Sequence, residues 1–258
     1  MAAGSFLDLS AEELIELCSS SSHLQGIGLR VTGEQAVDRS RWEELRRVVE
    51  AKGLTINDVE VYRIGSPLGS QFDSVDALIE MAAAIGAQNI LVVGDVDDGE
   101  VVEDELRRIV DVARDHGVGV GLEYMAWTMP HSVDMARRLA QASGCRLVVD
   151  VLHHTRIGAS VEDLAQIVAD GVLGWVQICD APEASPLNRT SLIQEARHGR
   201  LLPGHGVLPL ADLLSVIPAD TTFSIEVQSD ELLQLDPHDR MLALTASAYG
   251  VLQKAFSQ

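Results

Sequence analysis

Short β-branched runs alternate with longer stretches of helical periodicity along the chain, and this alternation constrains the fold more than any other feature. The order is typical of a parallel sheet covered by helices. Strands are predicted at Ser5–Leu9, Gly26–Val31, Asp58–Ile64, Asn89–Gly94, Gly117–Tyr124, Cys145–Val151, Gly174–Cys179 and Thr222–Val227. Helices are predicted near Ala11–Ser19, Ser40–Lys52, Ser74–Ile85, Val102–His116, His131–Ala142, Val161–Asp170, Leu210–Val216 and Asp236–Phe256.

Eight strand–helix pairs in 258 residues predict an α/β fold, a single (β/α)8 TIM barrel spanning residues 1–258. A doubly wound open sheet is the competing fold, but it would need a G-x-G-x-x-G turn after an early strand, and the sequence has none. The segment Ser5–Leu9 is the weakest strand prediction because it is short and half polar. The connection Ala181–Pro209 is long for a compact domain, so we expect an active-site loop there, with a helix as an option around Thr190–Ala196.

The composition excludes several classes of protein. There are 39 acidic and 19 basic residues, which gives a formal net charge of −20. Such a surface repels polyphosphate and anionic lipid, so we expect no nucleic-acid or membrane partner. Secretory and transmembrane patterns are absent, and Cys18, Cys145 and Cys179 are too widely spaced for a zinc knuckle. These features indicate a cytoplasmic protein, a monomer or homodimer, that acts on a small polar substrate.

Polar side chains end four consecutive predicted strands, at Glu123, Asp150, Gln177 and Glu226. The carboxyl ends of the strands form the reactive face of a TIM barrel, so these side chains should lie close together. Buried carboxylates repel one another unless a cation lies between them. Oxygen ligands suit Mn²⁺ or Mg²⁺ better than Zn²⁺, and the pattern therefore predicts one divalent ion, with Mn²⁺ preferred. Taken singly, each residue could instead be a helix cap or a solvated loop residue.

Other polar and aromatic residues follow the same strand ends. His153 comes three residues after Asp150, where an imidazole could transfer a proton or bind a substrate oxygen. Its neighbour His154 is expected to point elsewhere. Trp127 is predicted to form a wall of the pocket or its rim. Asp180 precedes Ala-Pro, so a role in anchoring its own loop competes with a role in the site.

The long connection also carries basic residues. Arg197, Arg200 and His205 lie in EARHGRLLPGHG, and one guanidinium reaching inward could bind a carboxylate, phosphate or enediolate oxygen. A surface arginine is the competing interpretation for each.

Five segments, GLEYMAWT, VVDVLHH, VQICDAP, RLLPGHGVLPL and SIEV, together resemble the sugar phosphate isomerase/epimerase superfamily of xylose isomerase-like TIM barrels. This superfamily includes keto-inositol dehydratases, ketose 3-epimerases and 3-dehydroshikimate dehydratases. The resemblance implies that His153 contacts the substrate or transfers a proton and that Arg197 is the matching loop arginine. It further implies a shell for Mn²⁺, Mg²⁺ or Co²⁺ made of Glu123, Asp150, Gln177 and Glu226.

The sequence departs from the superfamily pattern at two places. Many ketose epimerases have histidine where this chain has Gln177, which resembles the dehydratase branch. Many relatives have Gly-Glu-Gly where this chain has Gly204-His205-Gly206, so the substrate contact expected of His205 departs from theirs.

The leading functional prediction is a metal-dependent isomerase or epimerase of a keto-sugar, inositol derivative or related polyol. It would act through α-proton abstraction and a metal-stabilised enediolate, with Glu226 or Glu123 as base and His153 as acid or orienting group. The alternative is a dehydratase or other lyase acting on a hydroxylated keto acid, with Arg197 binding the carboxylate. A third hypothesis is a metal-binding barrel without catalysis. An endonuclease barrel would need a basic groove that a chain of this charge does not supply.

Overall fold

The computed structural model describes residues 1–30, 39–65, 74–183 and 185–257. Within these residues, seven parallel strands pair in chain order to form a nearly closed barrel with helices between them. The predicted TIM-barrel fold is thereby confirmed. The strands are β1 (Gly26–Arg30), β2 (Thr55–Ile64), β3 (Ala87–Gly94), β4 (Gly119–Glu123), β5 (Arg146–Asp150), β6 (Leu173–Ile178) and β7 (Thr222–Ile225).

The α-helices of the described residues follow the predicted order, with two additions. The helix optional around Thr190–Ala196 is present as α8, and a short helix, α6, directly follows β5. None of these helices has the length and hydrophobicity needed to cross a membrane. They are α1 (Ala11–Ser19), α2 (Arg39–Ala51), α3 (Val75–Ile85), α4 (Gly99–Asp115), α5 (Val133–Ser143), α6 (Val151–Arg156), α7 (Val161–Ala169), α8 (Arg189–His198), α9 (Leu210–Ser215) and α10 (Pro237–Phe256).

The prediction of a first strand at Ser5–Leu9 is wrong. A 3₁₀ helix occupies Ala3–Phe6 instead. Arg240 on α10 binds both carboxylate oxygens of Asp8 at 2.9 and 2.7 Å, and its guanidinium lies 4.4 Å from the centre of the Phe6 ring. These contacts hold the segment as a turn, because an extended chain would move both side chains away from the arginine.

The gap between the first and last strands is bridged by the first two residues. The amide of Gly28 donates to the carbonyl of Met1 at 2.7 Å, and the amide of Ala2 donates to the carbonyl of Ile225 at 3.0 Å. One short stretch of chain therefore bonds to both β1 and β7, which brings the mouth residues of these strands to the same rim.

An apolar floor fills the barrel below its mouth. It is a cluster separate from the main core between sheet and helices, and its largest member is the indole of Trp175 on β6. Gly121 on β4 makes room for this ring, since a Cβ atom there would lie 2.2 Å from the indole. The floor consists of Val61, Leu91, Val93, Met125, Val148 and Trp175.

We predict that Gly121→Ala destabilises the protein, because the added methyl group would overlap the Trp175 ring in a closely packed interior. Overpacking of this kind costs about 1–3 kcal/mol, and thermal unfolding should show a Tm lower by several degrees. The matched control is Gly250→Ala in α10, where an added Cβ meets no atom within 4 Å. Alanine there should leave the Tm unchanged or raise it, because it favours helix. An equal fall in both variants would contradict the proposed packing.

Candidate active site

A cavity of about 320 Å³ opens at the carboxyl ends of the strands, where the sequence predicted the site. Its lining includes the predicted residues Glu123, Trp127, His153, Gln177, Arg197 and Glu226. Asp150 is fully buried beside them. The lining also includes residues that the sequence analysis did not single out, namely Leu7, Arg30, Glu60, Arg63 and Gln228.

Asp150 ends β5 and also caps α6. One carboxylate oxygen accepts hydrogen bonds from the amides of Leu152 and His153, at 2.8 and 3.1 Å. The cap makes the chain turn into a helix directly at the strand end, since it satisfies amides that a helix start leaves unpaired. This local structure brings the His153 side chain back over the barrel mouth. The other oxygen of Asp150 faces Arg200.

Glu123, Asp150 and His153 form a compact group at the mouth. Each offers one ligand atom, and the three atoms lie within 4.8 Å of one another. The Nε2 atom of His153 is 3.6 Å from a carboxylate oxygen of Glu123. The Trp127 ring meets the His153 ring edge-on, with 4.9 Å between the ring centres, and so restricts its rotation.

Gln177 and Glu226 complete the predicted set. Gln177 is the register partner of Asp150 across the β5–β6 pair, so its side chain enters the same cavity. The Oε1 atom of Gln177 and the Oε2 atom of Glu226 are buried without a hydrogen-bond partner among the described residues. An unpaired buried oxygen is unfavourable, so each of these atoms is suited to a bound cation or ligand.

The amino-terminal segment positions Glu226. The Ser5 hydroxyl donates to the carbonyl of Ile225 at 3.0 Å and accepts from the amide of Val227 at 2.9 Å. These two bonds fix the backbone on both sides of the glutamate. A Cβ atom on Gly4 would lie only 2.4 Å from the Oε1 atom of Glu226, so glycine is needed for this close approach.

Arg200 is the loop arginine that reaches the carboxylates. Its side chain is 3% exposed, and its Nη1 atom lies 2.5 Å from Asp150 Oδ2 and 4.0 Å from Glu226 Oε2. The same nitrogen donates to the backbone carbonyl of Glu226 at 3.2 Å. The resemblance favoured Arg197, which is exposed on α8 and lines the cavity without an ion pair to any described residue within 4 Å.

The remaining candidates lie outside the cavity. His205 is exposed on its loop and the structure does not bring it to the site. The Asp180 carboxylate accepts hydrogen bonds from the amides of Ala181, Gly204 and Leu208 at 2.8–3.0 Å. It thus anchors its own loop, which was the competing interpretation of this residue. His154 is buried away from the mouth, where Tyr124 donates to it at 2.7 Å and it donates to the carbonyl of Ser160 at 2.9 Å.

The pKa values at the site reflect crowded negative charge in a buried setting. Burial and the neighbouring carboxylates of Glu226 and Asp150 raise the pKa of Glu123 well above its usual range. Burial also raises the pKa of Glu226, to about 7, against the opposing effect of Arg200. For Asp150 burial would raise the pKa, yet Arg200 and His153 hold it below its ordinary value. Burial lowers the pKa of His153 to about 4, so its imidazole is neutral at pH 7.

The residues at the mouth fit a divalent cation. They provide three carboxylates, an amide oxygen and a neutral imidazole, and two of the oxygens are buried and unpaired. A cation would also offset the repulsion that raises the pKa values of Glu123 and Glu226. Oxygen-rich sets of this kind suit Mn²⁺ and Mg²⁺, and the imidazole makes Zn²⁺ and Co²⁺ acceptable as well.

The sequence analysis missed the polar residues of β1 and β2. Arg30 ends β1, and Glu60 and Arg63 lie on β2. The available signal was the charge itself, since the inner face of a TIM barrel is mostly apolar and charged side chains within its strands are unusual.

Comparison with known proteins agrees with the fold. The model of the xylose isomerase-like TIM barrel family matches residues 15–247, and the chain belongs to this family. The members with known activities that it resembles include epimerases, isomerases and dehydratases.

The similarity to individual proteins is distant. A 3-dehydroshikimate dehydratase of Pseudomonas aeruginosa is 26% identical over 176 residues, which are 63% of this chain and 27% of that protein. The chain thus spans about a quarter of the length of the curated relatives it matches. The solved structure of IolI protein with a bound zinc atom has a TM-score of 0.82 at 17% identity and covers 100% of this chain and 99% of its own.

A probable 3-DHS dehydratase, AsbF from Bacillus anthracis, has a TM-score of 0.75 at 15% identity, with 96% of this chain and 97% of its own covered. Epimerases also have this fold. At such identities the solved structures establish the shared fold alone. The zinc atom of IolI and the compact acidic group at the mouth of this barrel are consistent with a divalent metal.

We predict that the purified protein binds about one Mn²⁺ per chain and that Mn²⁺ raises its Tm, because a ligand that binds only the folded state stabilises it. Neither Glu226→Gln nor Asp150→Asn should bind the ion, since each variant lacks one charged oxygen ligand. Mn²⁺ should therefore not raise the Tm of either variant. The control is Asp180→Asn, which alters a carboxylate outside the cavity and should retain the ion. Metal analysis and thermal-shift titration test this, and full Mn²⁺ binding by Glu226→Gln would contradict it.

The affinity for Mn²⁺ should fall as the pH drops below 7. Glu226 has a pKa of about 7 in the free protein, so below this pH a proton must leave before the carboxylate can bind the ion. One displaced proton per ion weakens binding about tenfold per pH unit, and protonation of Glu123 would steepen the dependence. Calorimetric titration at pH 8, 7 and 6 measures it. A constant affinity across this range would contradict ligation by Glu226.

Proposed function

We propose that this barrel is a divalent-metal-dependent enzyme that removes a proton from the carbon beside a carbonyl group of a small hydroxylated acid. The favoured reaction is loss of water from a hydroxylated keto acid. The observation that carries the proposal is the charge of the mouth, where carboxylates face two arginines, Arg63 and Arg197, that form no ion pair with the described residues.

The arginines favour an acidic substrate over a neutral sugar. Arg63 and Arg197 both line the cavity, and neither forms an ion pair within 4 Å with a described residue. Burial lowers the pKa of the Arg63 guanidinium, and the nearby positive charges of Arg197 and Arg30 lower it further, against Asp95 and Glu123. Unneutralised guanidinium groups in a cavity are suited to a carboxylate, which they can bind through paired hydrogen bonds.

The total charge of the site also favours an acidic substrate. Four carboxylates, on Glu60, Glu123, Asp150 and Glu226, lie at the mouth with four guanidiniums, on Arg30, Arg63, Arg197 and Arg200. When all of them are ionised, these charges balance. A divalent ion then leaves the mouth positive, so an anionic substrate would be attracted and a cationic one repelled.

Each residue has a role that follows from its contacts. Glu123, Asp150, Gln177 and Glu226 would hold the ion, which when bound would polarise a carbonyl group and stabilise negative charge on its oxygen. Glu226 is the proposed base, because its Oε2 atom is buried at the cavity without a hydrogen-bond partner among the described residues. His153, neutral and held against Trp127, would orient the substrate rather than donate a proton.

The order of the two leading functions is thereby reversed relative to the sequence analysis. Both curated relatives are 3-dehydroshikimate dehydratases, which supports the lyase reaction, and Gln177 resembles that branch. An isomerase or epimerase is the second candidate, since Glu123 and Glu226 enter the cavity from different strands. Two carboxyl groups so placed could serve the two faces of a planar intermediate. A binding barrel without turnover would show metal binding and no reaction.

We predict that, in the Mn²⁺-loaded enzyme, Arg63→Gln and Arg197→Gln lower kcat/KM for 3-dehydroshikimate by about 10- to 100-fold each. This corresponds to the loss of a hydrogen bond to a charged group, worth about 1.5–3 kcal/mol. Turnover of a neutral ketose such as D-tagatose, if detectable, should change less than threefold. Product formation by chromatography measures both activities. Glu226→Gln should abolish turnover of either compound.

The matched control is Arg138→Gln, which removes an exposed guanidinium from α5 outside the cavity and should leave kcat/KM unchanged. An equal loss for the acidic and the neutral compound in the Arg63 and Arg197 variants would argue for a structural role. Full turnover by Glu226→Gln would remove the proposed base.

A further inference from the structure

Arg30 and Glu60 form a polar pair on the wall of the cavity that the metal-binding strands do not supply. They are register partners on β1 and β2, and Arg30 Nη2 lies 2.6 Å from Glu60 Oε2. Both residues line the cavity. The Glu60 side chain is 3% exposed, whereas that of Arg30 is 26% exposed.

The ion pair leaves one polar atom on each partner unsatisfied. Glu60 Oε1 and Arg30 Nε are both buried, and neither has a hydrogen-bond partner among the described residues. A bidentate pair would have used both atoms, so this single-contact geometry leaves two buried polar groups unsatisfied, which is unfavourable. The wall of the cavity therefore carries an unpaired acceptor and an unpaired donor on neighbouring strands.

The chemistry of these atoms selects the group that they would bind. Glu60 Oε2 is already bonded to Arg30, and the free Oε1 atom on the other side of the carboxyl group is best matched by a hydrogen-bond donor. The net positive charge of a metal-loaded mouth disfavours an ammonium group as that donor. A hydroxyl group meets both needs, because it can donate to Glu60 Oε1 and accept from Arg30 Nε.

We propose that the Arg30–Glu60 pair is a specificity subsite that binds one hydroxyl group of the substrate, distinct from the substrate atoms served by Glu123, Asp150, Gln177 and Glu226. This inference rests on the proposed function, since it assumes a hydroxylated acid in the cavity. It adds the requirement that the substrate carry a hydroxyl group that the reaction need not remove.

The test uses two carboxylates that differ in their hydroxyl groups. Shikimate has three ring hydroxyls and cyclohex-1-ene-1-carboxylate has none. The wild-type, Mn²⁺-loaded protein should bind shikimate more tightly. Glu60→Gln should reduce this preference about tenfold or more, because a hydrogen bond to a charged group is lost, and should leave the Kd of the unhydroxylated acid unchanged. Arg63→Gln, by contrast, should weaken both probes alike. Calorimetry gives each Kd.

Three outcomes separate the possibilities. An unchanged preference in a folded Glu60→Gln protein with normal Mn²⁺ affinity would overturn the subsite and leave the proposed function standing. Failure of both probes to bind the wild-type, Mn²⁺-loaded protein would overturn the acidic substrate class and the subsite with it. If Glu60→Gln does not fold, Arg30→Lys replaces it, because lysine keeps the positive charge but lacks Nε. The shikimate preference should then fall, and an unchanged one would overturn the subsite.

Discussion

The structure of the barrel mouth depends on how repulsion between buried carboxylates is balanced. Glu123, Asp150 and Glu226 converge because the carboxyl ends of parallel strands share one rim, and burial weakens their solvation. Arg200 offsets part of the repulsion by binding Asp150 and lying 4.0 Å from Glu226. Its effect is unequal, since the pKa of Asp150 falls while the pKa values of Glu123 and Glu226 remain raised.

The unequal effect of Arg200 on the three carboxylates shows where additional positive charge would be favourable. Asp150 is already satisfied by an arginine and by two amides at the start of α6. Glu226 and Gln177 each keep a buried oxygen without a partner. Under the proposed function, a divalent ion would therefore lie toward Glu123, Gln177 and Glu226, and it would share Asp150 with Arg200. A divalent ion fits this need better than a further arginine because it is smaller and can accept several oxygen ligands at once.

The sequence predicted the parts of the site that depend on strand ends and missed those that depend on the packing of the closed barrel. Glu123, Asp150, Gln177 and Glu226 could be found because each lies at or next to the end of an apolar run. Glu60 lies within β2 and Arg30 lies at the end of β1. In the sequence, a charged residue at such a position is typical of an ordinary half-exposed strand. Only the closure of the barrel turns these side chains toward the cavity.

The wrong prediction of a first strand at Ser5–Leu9 has a related cause. Local pattern favoured extension at Ser5–Leu9, but the tertiary contacts of Arg240 with Phe6 and Asp8 hold a turn there. Likewise, nothing in EARHGR distinguishes Arg197 from Arg200 by pattern. The distinction comes from the end of α8, where Arg200 follows Gly199 and its guanidinium donates to the carbonyl of Ala196 at 2.7 Å as it enters the core.

The mouth is asymmetric, and the asymmetry fixes how a substrate would lie. The proposed metal ligands lie at the carboxyl ends of β4 to β7, whereas Arg30, Glu60 and Arg63 come from β1 and β2. A hydroxylated keto acid would place its carbonyl group toward the former and its carboxylate and remote hydroxyl toward the latter. Under the proposed function, attachment at these three points would leave one orientation, with one α-carbon beside Glu226. A neutral sugar would lack the anionic contact, and the carbon presented to the base would be less well defined.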